Sequence, residues 1–143
     1  MRRVFFDTNI VIDLLLARLE WCRTSSSIFD LATDGKIELY CSTLTLGTAS
    51  FYLEKNHFTR DEIVMKLLNF VSVCMLTSVD VNVAKSALNS SFKDIEDAMQ
   101  YFSALREGCD VIITRNKKDF AESKIQVLEP QEFLDKLCKE MGE

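Results

Sequence analysis

Long apolar runs are missing from this chain. No stretch approaches the roughly 18–20 residues of a membrane span, so no membrane association is expected. A signal-peptide pattern is not visible either, since Arg2-Arg3 is followed by only three apolar residues before Asp7, and a cytoplasmic location is expected. Glycine and proline are scarce, four and one among 143 residues, which argues against disorder and loop-rich folds. Clustered cysteine is absent. Cys22, Cys41, Cys74, Cys109 and Cys138 form no CxxC or Cys/His group and read as reduced core thiols, not as a zinc site. The lone histidine, His57, sits in a polar Lys55-Asn56-His57 stretch, the place of a solvent-facing turn residue and not of a general base. Positive charge is outnumbered, 17 Lys and Arg against 22 Asp and Glu, for a net charge of −5. That balance excludes a broad non-specific nucleic-acid binder. It leaves room for an enzyme whose acidic site holds cations while local basic loops hold phosphate.

What is present is enough to build a core: 48% of the residues are hydrophobic, in a chain of one-domain length, taken as residues 1–143. Strand-like runs alternate with helix-like ones. Val4, Phe5 and Phe6 form a first strand, and Ile10, Val11, Leu14 and Leu15 recur at helical spacing over about 9–19. A second helix is expected over about 23–33, ending at Asp34-Gly35, and a strand over 37–41. Ser42 or Thr43 caps the next helix, which reaches about Lys55. Thr59-Arg60-Asp61-Glu62 opens another. Further strands are expected at 74–76, 111–113 and 125–128, with helices over 81–88, from Asp94 to Gly108, and from Pro130. This alternation means an α/β fold, with helices flanking a mainly parallel central sheet.

Parallel crossovers bring strand ends and helix starts to one face of the molecule. Three polar groups then meet there: Asp7-Thr8-Asn9, Asp94-Ile95-Glu96-Asp97, and Thr114-Arg115-Asn116-Lys117-Lys118-Asp119. Each has a plainer role when taken alone. Asp7 and Asp94 suit helix N-caps, Glu96 and Asp97 complement a helix dipole, and the basic run suits a solvated loop. Together they permit chemistry. Asp94 and Asp97, three apart, lie on neighbouring parts of one helix face and would face Asp7. Carboxylates so placed repel one another unless a divalent cation intervenes, and an oxygen-only set selects Mg²⁺ or Mn²⁺. Such a metal activates water for phosphodiester hydrolysis. Arg115, Lys117 and Lys118 are placed to grip the phosphates of a single strand.

In their order and spacing, Phe6-Asp7-Thr8-Asn9, Asp94-Ile95-Glu96-Asp97-Ala98 and Ile112-Ile113-Thr114-Arg115-Asn116-Lys117-Lys118-Asp119-Phe120 resemble the PIN-domain family of metal-dependent ribonucleases. The resemblance covers nearly the whole chain. It implies a three-layer α/β/α fold with an acidic Mg²⁺ or Mn²⁺ pocket. It also implies kinship with VapC-like toxins, which cleave RNA, form homodimers and are held by an antitoxin. On it, Asp7, Asp94 and Asp97 are the catalytic acids and, with Asp119, the metal set. Thr8, Thr114, Arg115, Asn116 and Lys117 support the site or bind substrate. The chain departs from the pattern in the helix after the second strand. That helix usually supplies a Glu, and Thr48 stands about where it is expected. Glu54, six residues on, lies about 9 Å further along the axis and on another face, so it is no substitute. Thr48 is left to bind substrate or to reach the metal through water.

The first expectation is therefore a single-strand-specific endoribonuclease. The alternative is a non-catalytic PIN-like module that binds RNA or protein, supported by the missing Glu. A phosphoacceptor receiver domain fits less well, because Asp7 stands without the second acid that such a site needs after its first strand.

Overall fold

A computed structural model describes residues 1–142. The elements run β1 (Arg3–Phe6), α1 (Thr8–Leu15), α2 (Cys22–Thr33), β2 (Glu38–Ser42), α3 (Thr43–Lys55), α4 (Arg60–Val71) and β3 (Cys74–Thr77). They continue with α5 (Val81–Leu88), α6 (Ile95–Arg106), β4 (Val111–Ile113), a 3-10 turn (Lys117–Phe120), β5 (Gln126–Leu128) and α7 (Pro130–Glu140). The five strands form one sheet in the order β3-β2-β1-β4-β5, with every pairing parallel.

Both faces of that sheet are covered, which is why its strands are apolar at successive positions. Side chains alternate between the faces along each strand. Val4 and Phe6 of β1 join one core with Ile10 and Val11 of α1, Ile28 of α2, Phe70 of α4 and Phe133 of α7. Phe5 points the other way, into a core with Tyr40, Ile112, Ala87 of α5, and Ala98, Tyr101 and Ala104 of α6. The result is the three-layer α/β/α arrangement expected from the sequence.

Most helix starts follow local signals. Ser42 caps α3 by accepting from the Thr45 amide, Thr59 and Glu62 form a reciprocal capping box at α4, and Pro130 opens α7. One boundary differs from expectation. The first helix stops at Leu15 and not near Leu19, because the chain turns through Ala17, whose φ of 50° ends the helical path. Leu19, which had extended the apolar pattern, is 93% exposed. The cysteines are all free thiols, but only Cys41, Cys74 and Cys109 are core residues. Cys22 is half-buried and Cys138 lies on the surface of α7. Among the described residues no helix is long and apolar enough to cross a membrane.

The order of the strands matters for function. Strand connections leave β1 toward β2 on one side and reach β4 on the other, so a crevice opens between the carboxyl ends of β1 and β4. Asp7 ends β1 and Thr114 follows β4, and the Asp7 amide donates to the Ile113 carbonyl at 3.0 Å across that crevice. The outer helix α7 is held through Phe133, which is fully buried. Phe133→Ala is expected to cost about 3–5 kcal/mol of unfolding free energy, read by urea denaturation with the circular-dichroism spectrum of the folded state unchanged.

Candidate active site

Asp7 is the residue around which the crevice is built. It is only 4% exposed. Its Oδ1 accepts from the Thr8 amide at 2.8 Å, which makes it the N-cap of α1. Its Oδ2 accepts from the Thr114 hydroxyl at 2.8 Å. Thr114 is itself buried, and its Oγ1 accepts from the Asn116 amide at 3.1 Å, so its proton is committed to Asp7. Burial pushes the Asp7 carboxyl up to about 6, against the lowering pull of those two hydrogen bonds. The nearby charges of Glu96 and Asp119 push it the same way as burial.

Asp97 arrives from the first turn of α6. That helix is capped by Asp94, whose Oδ1 accepts from the Asp97 amide at 2.9 Å. The plain capping role of Asp94 is thus real, and it also holds Asp97 in place. Asp97 is half-buried, and its carboxyl is pushed up to about 7. Burial is the largest cause, followed by the charge on Asp7, then by Asp94, Asp119 and Glu96. Asp94, Glu96 and Asp119 therefore place negative charge around Asp7 and Asp97 at this end of the sheet. Asp94, Asp97 and Asp119 line a cleft of about 480 Å³ together with Lys93, Lys118 and Glu122. Asp119 sits in the 3-10 turn, exposed on the cleft rim.

The basic run after β4 divides. Arg115 donates from Nε to Oδ2 of Asp13 at 2.7 Å, and its guanidinium stacks on Trp21 at 4.0 Å from the ring centroid. Asp13 is completely buried and also pairs with Arg18 at 3.2 Å. This cluster ties α1 to the loop after β4, and it occupies the Arg115 head group. Lys117 pairs with Glu132 of α7 at 3.0 Å. Lys118 lines the acidic cleft, as does Lys93, which the sequence had not singled out. Asn116 is exposed beside them.

On the opposite side, Thr48 donates to the Leu44 carbonyl of its own helix at 3.5 Å, so its proton is spent locally. One turn earlier, Thr45 is buried in a network that sequence reading missed. The Thr8 and Thr45 hydroxyls meet at 2.8 Å, and Gln100 Nε2 donates to both, at 2.8 and 3.1 Å. The available signal was position: Gln100 is a polar residue on the apolar side of α6, three after Asp97. Glu54 is exposed, away from this network.

Among the described residues, no three acidic, histidine or cysteine side chains stand close enough to form a ready-made metal cluster. The donor chemistry still fits a hard cation. Mg²⁺ keeps most of its waters and commonly takes only one or two protein carboxylates. Asp7 and Asp97, both held near neutrality by burial and by like charge, are such a pair.

A family model described as "PIN domain" matches residues 3–118. Ribonuclease VapC1 of Aquifex aeolicus is 27% identical over 139 residues, 94% of each chain. Two solved structures are similar in fold. A toxin-antitoxin complex from Klebsiella pneumoniae superposes with a TM-score of 0.67 at 24% identity, covering 89% of this chain and 97% of that one. VapBC2 from Rickettsia felis, bound to a DNA fragment from its promoter, gives 0.66 at 16% identity with the same coverage.

The raised carboxyls set a pH dependence. Their folded-state values lie above the usual carboxylate range near 4, so between about pH 4 and 7 the folded state binds more protons than the unfolded one. Their contribution to stability is present at low pH and is lost as pH rises through about 6 to 7. Without divalent cations, urea-denaturation midpoints are expected to show this fall, and Asp97→Asn is expected to flatten it and to be the more stable protein at pH 7.5.

Proposed function

The chain belongs to the PIN-domain family, and from that premise we propose that it is a divalent-metal-dependent endoribonuclease acting on single-stranded RNA. The observation that carries this reading is the pairing of Asp7 and Asp97. They come from different elements at the carboxyl-end crevice of the sheet, both are raised by burial, and the charge on Asp7 raises Asp97 further. The ribonuclease name of the Aquifex aeolicus relative supports it.

In this reading Asp7 and Asp97 hold one Mg²⁺ or Mn²⁺, with Asp94 and Asp119 adding negative charge at the rim. A cation held there would supply Lewis-acid polarisation of a phosphoryl oxygen and would lower the pKa of an attacking water. The chain's own residues do the rest. Thr8 and Thr114 fix the Asp7 carboxylate by hydrogen bonds to both oxygens, the first through its amide. Lys93 and Lys118 line the same cleft as Asp94, Asp97 and Asp119, where they can hold the phosphates of a bound strand. Arg115 braces the loop that carries Asn116 to Asp119 through its bonds to Asp13. Its reach to phosphate requires release from that pair. The α3 residue that meets Thr8 and Gln100 is the uncharged Thr45, so one metal suits the site better than two.

We place the protein in the cytoplasm as a single PIN-like domain spanning residues 1–143. An antitoxin partner is supported by the fold shared with a toxin held in a toxin-antitoxin complex. A homodimer is supported by apolar side chains left uncovered on neighbouring elements, Phe51 of α3, Met65 and Leu68 of α4, and Met75 of β3.

Cleavage of a fluorescent single-stranded RNA tests the reading. Activity is expected with Mg²⁺ or Mn²⁺, to vanish in chelator, and to fall at least about 100-fold in Asp97→Asn, because the charge lost is one of two that bind the cation. RNA that is retained uncut across both metals and a range of sequences would instead identify a non-catalytic binding module.

A further inference from the structure

Among the described residues, two buried side-chain polar atoms lack a hydrogen-bond partner: Oε1 of Gln100 and Oδ1 of Asn9. Both are acceptors. Both belong to residues flanking the proposed site, Gln100 one turn after Asp97 on α6 and Asn9 two residues after Asp7 in the first turn of α1. A buried acceptor without a donor calls for an explanation, because native proteins satisfy nearly all such groups.

The surroundings of Gln100 narrow the explanation. Its side chain is fully buried. Nε2 gives its two protons to the hydroxyls of Thr8 and Thr45, which fixes the amide and leaves Oε1 as the free end. Thr8 adjoins Asp7 in the chain, and Thr45 lies one turn before Thr48 on α3. The amide therefore stands between the two acids and the helix that lacks its carboxylate. The Thr48 hydroxyl is turned back to the Leu44 carbonyl of its own helix.

We infer that Gln100 is a positioning residue for the cation: its Oε1, braced by Thr8 and Thr45, accepts a hydrogen bond from a water of the ion's hydration shell and takes the part of the missing carboxylate. The inference rests on the Asp7–Asp97 cation site proposed above. A neutral oxygen orients the hydration shell without adding a further negative charge beside two acids that already repel. Asn9 Oδ1 offers a second acceptor of the same kind. Partners that orient a metal's ligands typically change metal affinity by about 10–100-fold when removed.

Calorimetric titration of Mn²⁺ into the intact protein at pH 7.5, without RNA, tests this. Gln100→Leu is expected to weaken Mn²⁺ binding about tenfold or more, and Asp7→Asn to abolish it. Gln100→Glu restores a carboxylate at this place. It is expected to bind Mn²⁺ at least as tightly as the wild type, and Mn²⁺ is expected to raise its unfolding temperature by more. A purely structural glutamine would give no such gain. Should Gln100→Leu not fold, Gln100→Met, closer in shape, carries the same expectation. Wild-type Mn²⁺ affinity in a folded Gln100→Leu or Gln100→Met, with binding still lost in Asp7→Asn, would overturn the role of Gln100 and leave the cation site standing. Undiminished binding in Asp7→Asn would overturn both.

Discussion

The structure depends on one costly placement, a carboxylate buried at the carboxyl end of its central strand. Asp7 lies where the sheet's connections diverge, beneath the first turn of α1 and beside the end of β4. Burial of an ionised group is tolerated only with compensation. The fold supplies a backbone amide from Thr8 and a hydroxyl from Thr114, and these offset part of the penalty. They do not remove it, and the Asp7 carboxyl stays raised to about 6. The charges of Glu96 and Asp119 add to the cost at Asp7, and the charge on Asp7 in turn raises Asp97.

Other features of the molecule follow from holding those two acids still. Asp94 spends its carboxylate on capping α6, which fixes Asp97. Arg115 is locked on a buried Asp13 and an indole ring, which fixes the loop carrying Asn116 to Asp119. Gln100 reaches from α6 to Thr8 of α1 and Thr45 of α3, so these three helices are joined beside the acids by neutral hydrogen bonds. Stability and proposed function pull in opposite directions here: without a cation, ionisation of Asp7 and Asp97 weakens the fold.

Much of this was legible in the sequence. The short apolar run ending on Asp7, the helical spacing of Ile10, Val11, Leu14 and Leu15, and the caps at Ser42, Thr59 and Asp94 are local signals, and local physics set them. The parallel sheet followed from alternation. The gap at Thr48 was visible too. What occupies the gap was not, because Gln100 reaches Thr8 and Thr45 across 92 and 55 residues of sequence and belongs to no motif. The partners of Arg115 and Lys117 were hidden for the same reason. A basic residue after a strand could face phosphate or pair with an acid, and Asp13 and Glu132 decide that only once α1 and α7 are packed. The early end of α1 turned on a backbone reversal at Ala17, a residue whose type carries no turn signal.

Burial and neighbouring negative charge at Asp7 and Asp97 are the proposed basis of a site for one divalent cation. A crystal structure of the protein grown at pH 7.5 with Mn²⁺, phased to show anomalous scattering, measures this directly. One strong peak is expected within coordination distance of both carboxylates, with the Gln100 amide facing the ion's waters. Crystals saturated with Mn²⁺ that show no peak there, with Asp7 held only by Thr8 and Thr114, would contradict it.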